Sequence, residues 1–168
     1  MGDDAAGRLM VFRRKARGPI WRSGAVYVVN LSGDERNVLI RLLGELSQLL
    51  TSGEAPAVAR RLHPPAYHLE IDREADAEFR RLMTDELVAS RLAAITMVSE
   101  ALGSGEPMDA ETFDAFLRSL NGVRLVLGTI LDVSEDEDPT DVDENDPMAA
   151  ARNLYHYLSW LLDAALTA

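Results

Sequence analysis

The sequence predicts a mainly α-helical single domain: a bundle of five to six helices with a small N-terminal β hairpin or meander. Apolar residues recur at three- and four-residue spacing through most of the chain after Ser32, β-forming residues cluster before it, and Gly, Pro and capping residues punctuate the helical runs. At 168 residues one core suffices, since a domain of that size buries roughly 70% of the surface its unfolded chain exposes. Residues 1–168 are therefore expected to form one domain, with a basic β ribbon over residues 8–30 and an acidic flexible loop over residues 132–146.

Leu9-Met10-Val11-Phe12-Arg13 and Ala25-Val26-Tyr27-Val28-Val29 carry the β-formers, with turns supplied by Gly18-Pro19 and Ser23-Gly24. A ribbon this small is marginal alone and must lie on the helices. Ser32-Gly33-Asp34-Glu35 reads as a capping box, the Ser32 hydroxyl accepting from the third helical N–H while Glu35 reaches back to Ser32. The first helix follows, with Leu39, Leu42, Leu43, Leu46, Leu49 and Leu50 on one stripe, and ends at Ser52-Gly53. A short helix over Ala57–Leu62 is stopped by His63-Pro64-Pro65, because neither proline donates a backbone hydrogen bond.

From Asp72 to Leu102 the pattern is helical again, with Phe79, Leu82, Met83, Val88, Leu92, Ile95, Val98 and Leu102 as the apolar positions. Thr84-Asp85 leaves open whether this is two collinear helices or one long kinked one. After the Gly103–Pro107 loop, Asp109 caps a helix on which Met108 and Phe113 form a hydrophobic staple. Its buried stripe is Phe113, Phe116, Leu117, Leu120, Val123, Leu127, Ile130 and Leu131, with Asn121-Gly122 in mid-helix despite poor propensity. Asp146-Pro147 is an N-cap and first-turn pair for the last helix, whose apolar face is Leu154, Tyr157, Leu158, Leu161, Leu162 and Ala165.

Composition narrows the function. With 47% hydrophobic and 27% charged residues the chain has the make-up of a globular domain. Its apolar runs are short and broken by charge, so no membrane-spanning segment is expected, and a cytoplasmic location follows. There is no cysteine, which rules out disulfides, thiolate metal sites and a thiol redox switch. Charge is segregated: Arg8 to Arg22 holds six cations (Arg8, Arg13, Arg14, Lys15, Arg17, Arg22) and no acid, whereas Asp132 to Asp146 holds nine acids and no cation. The net charge of −11 argues against generic polyanion binding, which depends on phosphate neutralisation. A local contact with an anion or DNA is assigned to Arg13, Arg14, Lys15 and Arg17, and six phosphate contacts would give a log–log salt slope of only about 5. The acidic tract reads as a solvated loop, able to mask the basic arm.

No catalytic, cofactor-binding or metal-binding residues are assigned. His63, His68, Glu70 and Asp72 match no metal-ligand spacing, and no phosphate loop, nucleophile elbow or dinucleotide fingerprint occurs. Asn121 and Arg124, one helical turn apart, read as structural polar contacts: Arg124 as a half-buried cation needing an acidic partner, Asn121 bonding the adjacent helix. Trp160 falls off the apolar stripe of the last helix and is the candidate for a homodimer contact.

Phe12-Arg13-Arg14, the Leu-rich first helix, Arg61-Leu62-His63-Pro64-Pro65-Ala66-Tyr67, Glu78-Phe79-Arg80-Arg81-Leu82 and Leu120-Asn121-Gly122-Val123-Arg124-Leu125-Val126-Leu127-Gly128-Thr129 stand in an order that covers nearly the whole chain. In these motifs the chain resembles an actinobacterial domain-of-unknown-function family, the AosR-like family. The resemblance implies a gene neighbourhood with the adaptor ClpS and a cysteine-biosynthesis cluster, and regulation of transcription in oxidative stress and cysteine metabolism. Lacking cysteine, this chain cannot use a thiol sensor, and no segment makes a helix-turn-helix that would bring Arg, Lys, Asn or Gln to base edges. The expectation is thus a non-enzymatic regulator acting through a protein partner, a sigma factor or polymerase subunit, with weak DNA contact at most. The alternatives are an accessory protein in ClpS-linked proteolysis, or an enzyme whose pocket would draw on His63, Tyr67 or Arg124.

Overall fold

A computed structural model describes residues 18–52, 73–133 and 147–168, with side chains of the second stretch described from residue 86 onward. Two strands, β1 (Ile20–Ser23) and β2 (Val26–Val29), precede four helices among the described residues: α1 (Gly33–Ser52), α2 (Arg73–Ser104), α3 (Ala110–Ile130) and α4 (Ala149–Leu166). The architecture is mainly helical with a small N-terminal hairpin, as the hydrophobic spacing predicts, but the described residues hold four helices rather than the five to six expected of the chain. One reason is that α2 passes Thr84-Asp85 without a break. The expected helix at Ala57–Leu62 and the strand at Leu9–Arg13 lie outside the described residues, as does most of the acidic tract.

β1 and β2 pair antiparallel, with Ile20 opposite Val29 and Ser23 opposite Val26. The two-residue loop places Gly24 at φ 64°, a left-handed conformation that costs glycine nothing and suits the twist of a tight hairpin. Such a ribbon needs a partner, and it finds one at the start of α3. Tyr27 and Met108 exchange both backbone hydrogen bonds at 2.8 Å, and the Tyr27 ring stacks on Phe113 with centroids 3.9 Å apart. The staple residues Met108 and Phe113 are both buried, so the same two side chains start α3 and anchor the sheet.

The capping chemistry follows the sequence at two helices. The Glu35 backbone N–H donates to Ser32 Oγ at 3.2 Å and the Ser32 N–H donates to Glu35 Oε2 at 2.8 Å, closing the capping box of α1. At α3 the Thr112 N–H donates to Asp109 Oδ1 at 2.8 Å. At α4 the expectation changes: the helix opens at Ala149 with Met148 as its N-cap and no side-chain cap bond. Pro147 sits in the preceding turn rather than in the first helical turn, and Asp146 lies outside the described residues.

The core runs between all four helices and the hairpin, with Val98, Leu102, Phe116, Leu158 and Leu161 as its largest fully buried side chains. Leu39, Leu43 and Leu46 supply it from α1 and Ile95 from α2. The α3 stripe is shorter than its periodicity suggests, since Ile130 is 61% exposed while Leu131, past the helix end, is buried. The Leu131 N–H still donates to the Leu127 carbonyl at 2.9 Å, which keeps Leu131 one turn beyond Leu127 on the packed side of the helix. Within α2, Glu86–Ser104 has a mean hydropathy of 1.2 over 19 residues and is long and apolar enough to cross a membrane by length and composition alone. That corrects the expectation drawn from short apolar runs: small residues such as Ala93, Ala94 and Ala101 raise the average without forming a run. In this fold Ile95, Val98 and Leu102 of that stretch face the core.

Candidate functional site

The helices build three polar constellations, and two of them fasten the fold. At the first, Tyr157 Oη on α4 donates to Glu35 Oε1 at 2.9 Å, so the carboxylate that closes the α1 cap also ties α4 to α1. The Ser32 backbone N–H, with the Ser32 and Tyr157 hydroxyls, holds the Glu35 carboxyl below the usual carboxylate range. Burial, then the adjacent carboxylate, pushes the Tyr157 phenol above the ordinary tyrosine value.

The second constellation surrounds Arg124. Its Nε donates to Ser159 Oγ at 2.9 Å and its Nη2 to Tyr155 Oη at 3.2 Å, while the guanidinium carbon lies 5.2 Å from the Tyr155 ring centroid. Ser159 in turn donates to the Tyr155 carbonyl at 2.9 Å. These partners are hydroxyls and a ring, where the sequence suggested an acid; a half-buried guanidinium can be satisfied by neutral acceptors and an aromatic face. Nearby, a Cβ on Gly128 would come within 3.0 Å of the Tyr155 ring, so this glycine lets α3 and α4 approach. The pairs Arg124–Ser159 and Gly128–Tyr155 show the two helices running antiparallel.

The third is a cleft of about 510 Å³ between α1, α2 and α3. Leu46 and Leu50 form one wall, Leu87, Ala94 and Ile95 a second, and Gly122 with Leu125 a third. Arg91, Arg118, Ser90 and Asn121 supply polar groups to the same space. Burial, and then the charge of Arg118, lowers the proton affinity of the half-buried Arg91 guanidinium. Arg118 also pairs with Asp114 at 2.9 Å across an exposed turn of α3. Volume, apolar walls and a few convergent polar groups are the attributes of a ligand site.

The residues singled out in the sequence are distributed unequally. Arg13, Arg14, Lys15 and Arg17 lie outside the described residues, as do His63, Tyr67 and His68. Asn121 faces the cleft, and among the described residues its side chain makes no hydrogen bond to a neighbouring helix. Arg124, one turn on, faces α4 instead, so the two are not one site. His156 packs edge-on to Tyr155 with centroids 5.7 Å apart. Among the described residues no three His, Asp or Glu side chains gather as metal ligands. Arg22, the one member of the basic arm described, donates from Nε to the Gly24 carbonyl at 3.1 Å and lies over Tyr27. Arg91 and Arg118 were not legible as a pair; the available signal was an arginine at position 91, between Leu87 and Ile95 on one helical stripe.

These features define a small, mainly α-helical domain with an apolar cleft bordered by arginines. The model of the DUF2017 family, a domain of unknown function, matches residues 11–168, and the chain belongs to that family. No curated protein and no solved structure matches it.

Proposed function

We propose that this chain is a non-enzymatic regulatory protein that works through contact with a protein partner, and that its partner lies in the transcription machinery. The observation that supports this reading is on α4. Leu158 and Leu161 of that helix are fully buried, yet Trp160 between them is 51% exposed and stands 5.8 Å from the Tyr157 ring. A half-exposed tryptophan on a regular helix, beside a tyrosine that itself packs against the core, is the kind of anchor that protein interfaces use, because it brings area at low entropic cost. The polar constellations nearest to it, at Glu35 and Arg124, join helix to helix. The regulatory role in oxidative stress and cysteine metabolism rests on the AosR-like resemblance, as does the choice of a sigma factor or polymerase subunit as partner.

Affinity capture from the native host tests it. The intact chain is expected to recover a sigma factor or polymerase subunit, and Trp160→Ala is expected to lose it while keeping its melting temperature. Recovery of proteolytic components alone, with tight direct binding to ClpS, would replace this reading with the adaptor-linked one.

A further inference from the structure

The outer face of α4 presents an aromatic ring in a negative setting. Trp160 is 51% exposed, and its ring lies 5.8 Å from that of Tyr157. Helical geometry puts Tyr157 to one side of Trp160 and Asp163 to the other, each about one turn away. On the first side the Tyr157 phenol donates to Glu35 Oε1 at 2.9 Å, which brings the first turn of α1, with its acids Asp34 and Glu35, up to the ring pair. On the second side Asp163 is exposed.

These carboxylates have no cation of their own. Among the described residues Asp34, Glu35 and Asp163 form no ion pair. Glu35 stays ionised, because the Ser32 N–H and the Ser32 and Tyr157 hydroxyls favour its charged form. Asp163 lies near the C-terminus of α4, whose last turn holds no basic residue and whose dipole already favours a cation. Arg152, the one Arg or Lys of α4, is two turns nearer the N-terminus and has a contact of its own. Arg22 on β1 is engaged by the Gly24 carbonyl and the Tyr27 ring. An indole is the best aromatic face for a cation, and this one is flanked by acid on both sides in a chain of net charge −11.

We infer that the α4 face around Trp160 receives a basic segment of a protein partner, with an arginine stacked on the indole and neighbouring cations facing Asp163 on one side and Asp34 and Glu35 on the other. The inference rests on the reading of Trp160 as a partner anchor and names the chemistry of what it anchors. Arginine suits the ring better than lysine, because the planar guanidinium stacks and is less strongly hydrated. An acidic segment is repelled by the same carboxylates, and a purely apolar one covers them without supplying partners.

Titration of the isotope-labelled full chain, at low ionic strength, with flexible peptides of four Gly-Ser-Arg, Gly-Ser-Lys or Gly-Ser-Glu repeats tests it. In the wild-type chain the arginine peptide should shift the Trp160 indole N–H resonance and the backbone amides of Glu35 and Asp163. The lysine peptide should bind about two- to fivefold more weakly, and the glutamate peptide should leave these resonances in place. Trp160→Ala should weaken the arginine peptide about fivefold or more. Asp34→Asn combined with Asp163→Asn, both at exposed positions, should weaken it and flatten its salt dependence. An equal shift by the glutamate peptide, or arginine-peptide shifts centred on residues 134–146 with the indole unmoved, would overturn the inference. The two readings fail separately. A captured partner lost with Trp160→Ala but indifferent to the double Asp variant would overturn the basic segment alone, whereas arginine-peptide binding at Trp160 without a captured transcription component would uphold it and overturn only the partner's identity.

Discussion

Asp132 sits where a helix ending favours glycine. Its φ of 51° is left-handed, the Val133 N–H donates to the Gly128 carbonyl at 3.1 Å, and the Asp132 N–H donates to the Thr129 carbonyl at 3.4 Å. This is the Schellman pattern, with Asp132 as the residue after the cap. The left-handed backbone strains a residue with a Cβ, and a carboxylate at a helix C-terminus opposes the helix dipole. Asp132→Gly is therefore expected to raise stability by roughly 0.5–1 kcal/mol, less than the full relief of strain because glycine also frees the unfolded chain. Asp132→Asn, which keeps the tolerated backbone and removes the charge, should recover only the electrostatic part. Denaturant melts of the three proteins separate the contributions. The residue shows what the sequence hid: read as the first member of an acidic run, Asp132 is in fact a helix terminus, and only its backbone angle reveals that.

At the level of elements, the helices are held by carboxylate caps and by one-sided apolar faces. Glu35 accepts from the Ser32 N–H and from Tyr157, and Asp109 accepts from the Thr112 N–H, which is the main cause of its own lowered proton affinity. Both carboxyls bind protons less readily folded than unfolded, so their stabilisation is present above the unfolded values of about 4 and lost as pH falls through the lower folded ones. Acid unfolding of the wild type should therefore deepen below about pH 4, and Asp109→Asn should flatten that part of the curve. Ser32→Ala should cost about 1 kcal/mol as a lost cap. A cycle with Glu35→Gln and Tyr157→Phe should return a coupling of about 1 kcal/mol; a coupling near zero would mean the hydroxyl finds water equally well. The face of α4 makes a sharper contrast. Leu161→Ala should cost about 2–5 kcal/mol, whereas Trp160→Ala, one position away, should stay within about 0.5 kcal/mol. The caps at Ser32 and Asp109 and the stripes of α1, α3 and α4 were readable because each is a local pattern of spacing and side-chain chemistry. The first α4 turn was misplaced because Pro147 is as much at home in a turn as at the first helical position.

For the molecule as a whole, what local patterns could not reveal is which side chains from distant segments meet. Arg91 and Arg118 are on different helices, and nothing in either segment marks the other as a neighbour; the same holds for Arg124 with Tyr155 and for Tyr27 with Phe113. Arg91 and Arg118 share one cleft because the chain turns back after α2 at Gly105, whose φ of 69° allows a short connection into α3. Charge works at the same scale. A net charge of −11 on 168 residues makes the folded chain repel itself more than the expanded one, since folding brings the carboxylates closer together. Salt screens that repulsion, and the Debye length falls from about 30 Å at 0.01 M to about 8 Å at 0.15 M. The cap hydrogen bonds are contacts of about 3 Å and escape most of this screening. The melting temperature is thus expected to rise with sodium chloride and to level off near physiological ionic strength. Thermal scans across that range check it. A melting temperature that fell with salt would mean that attractive pairs outweigh the excess acid.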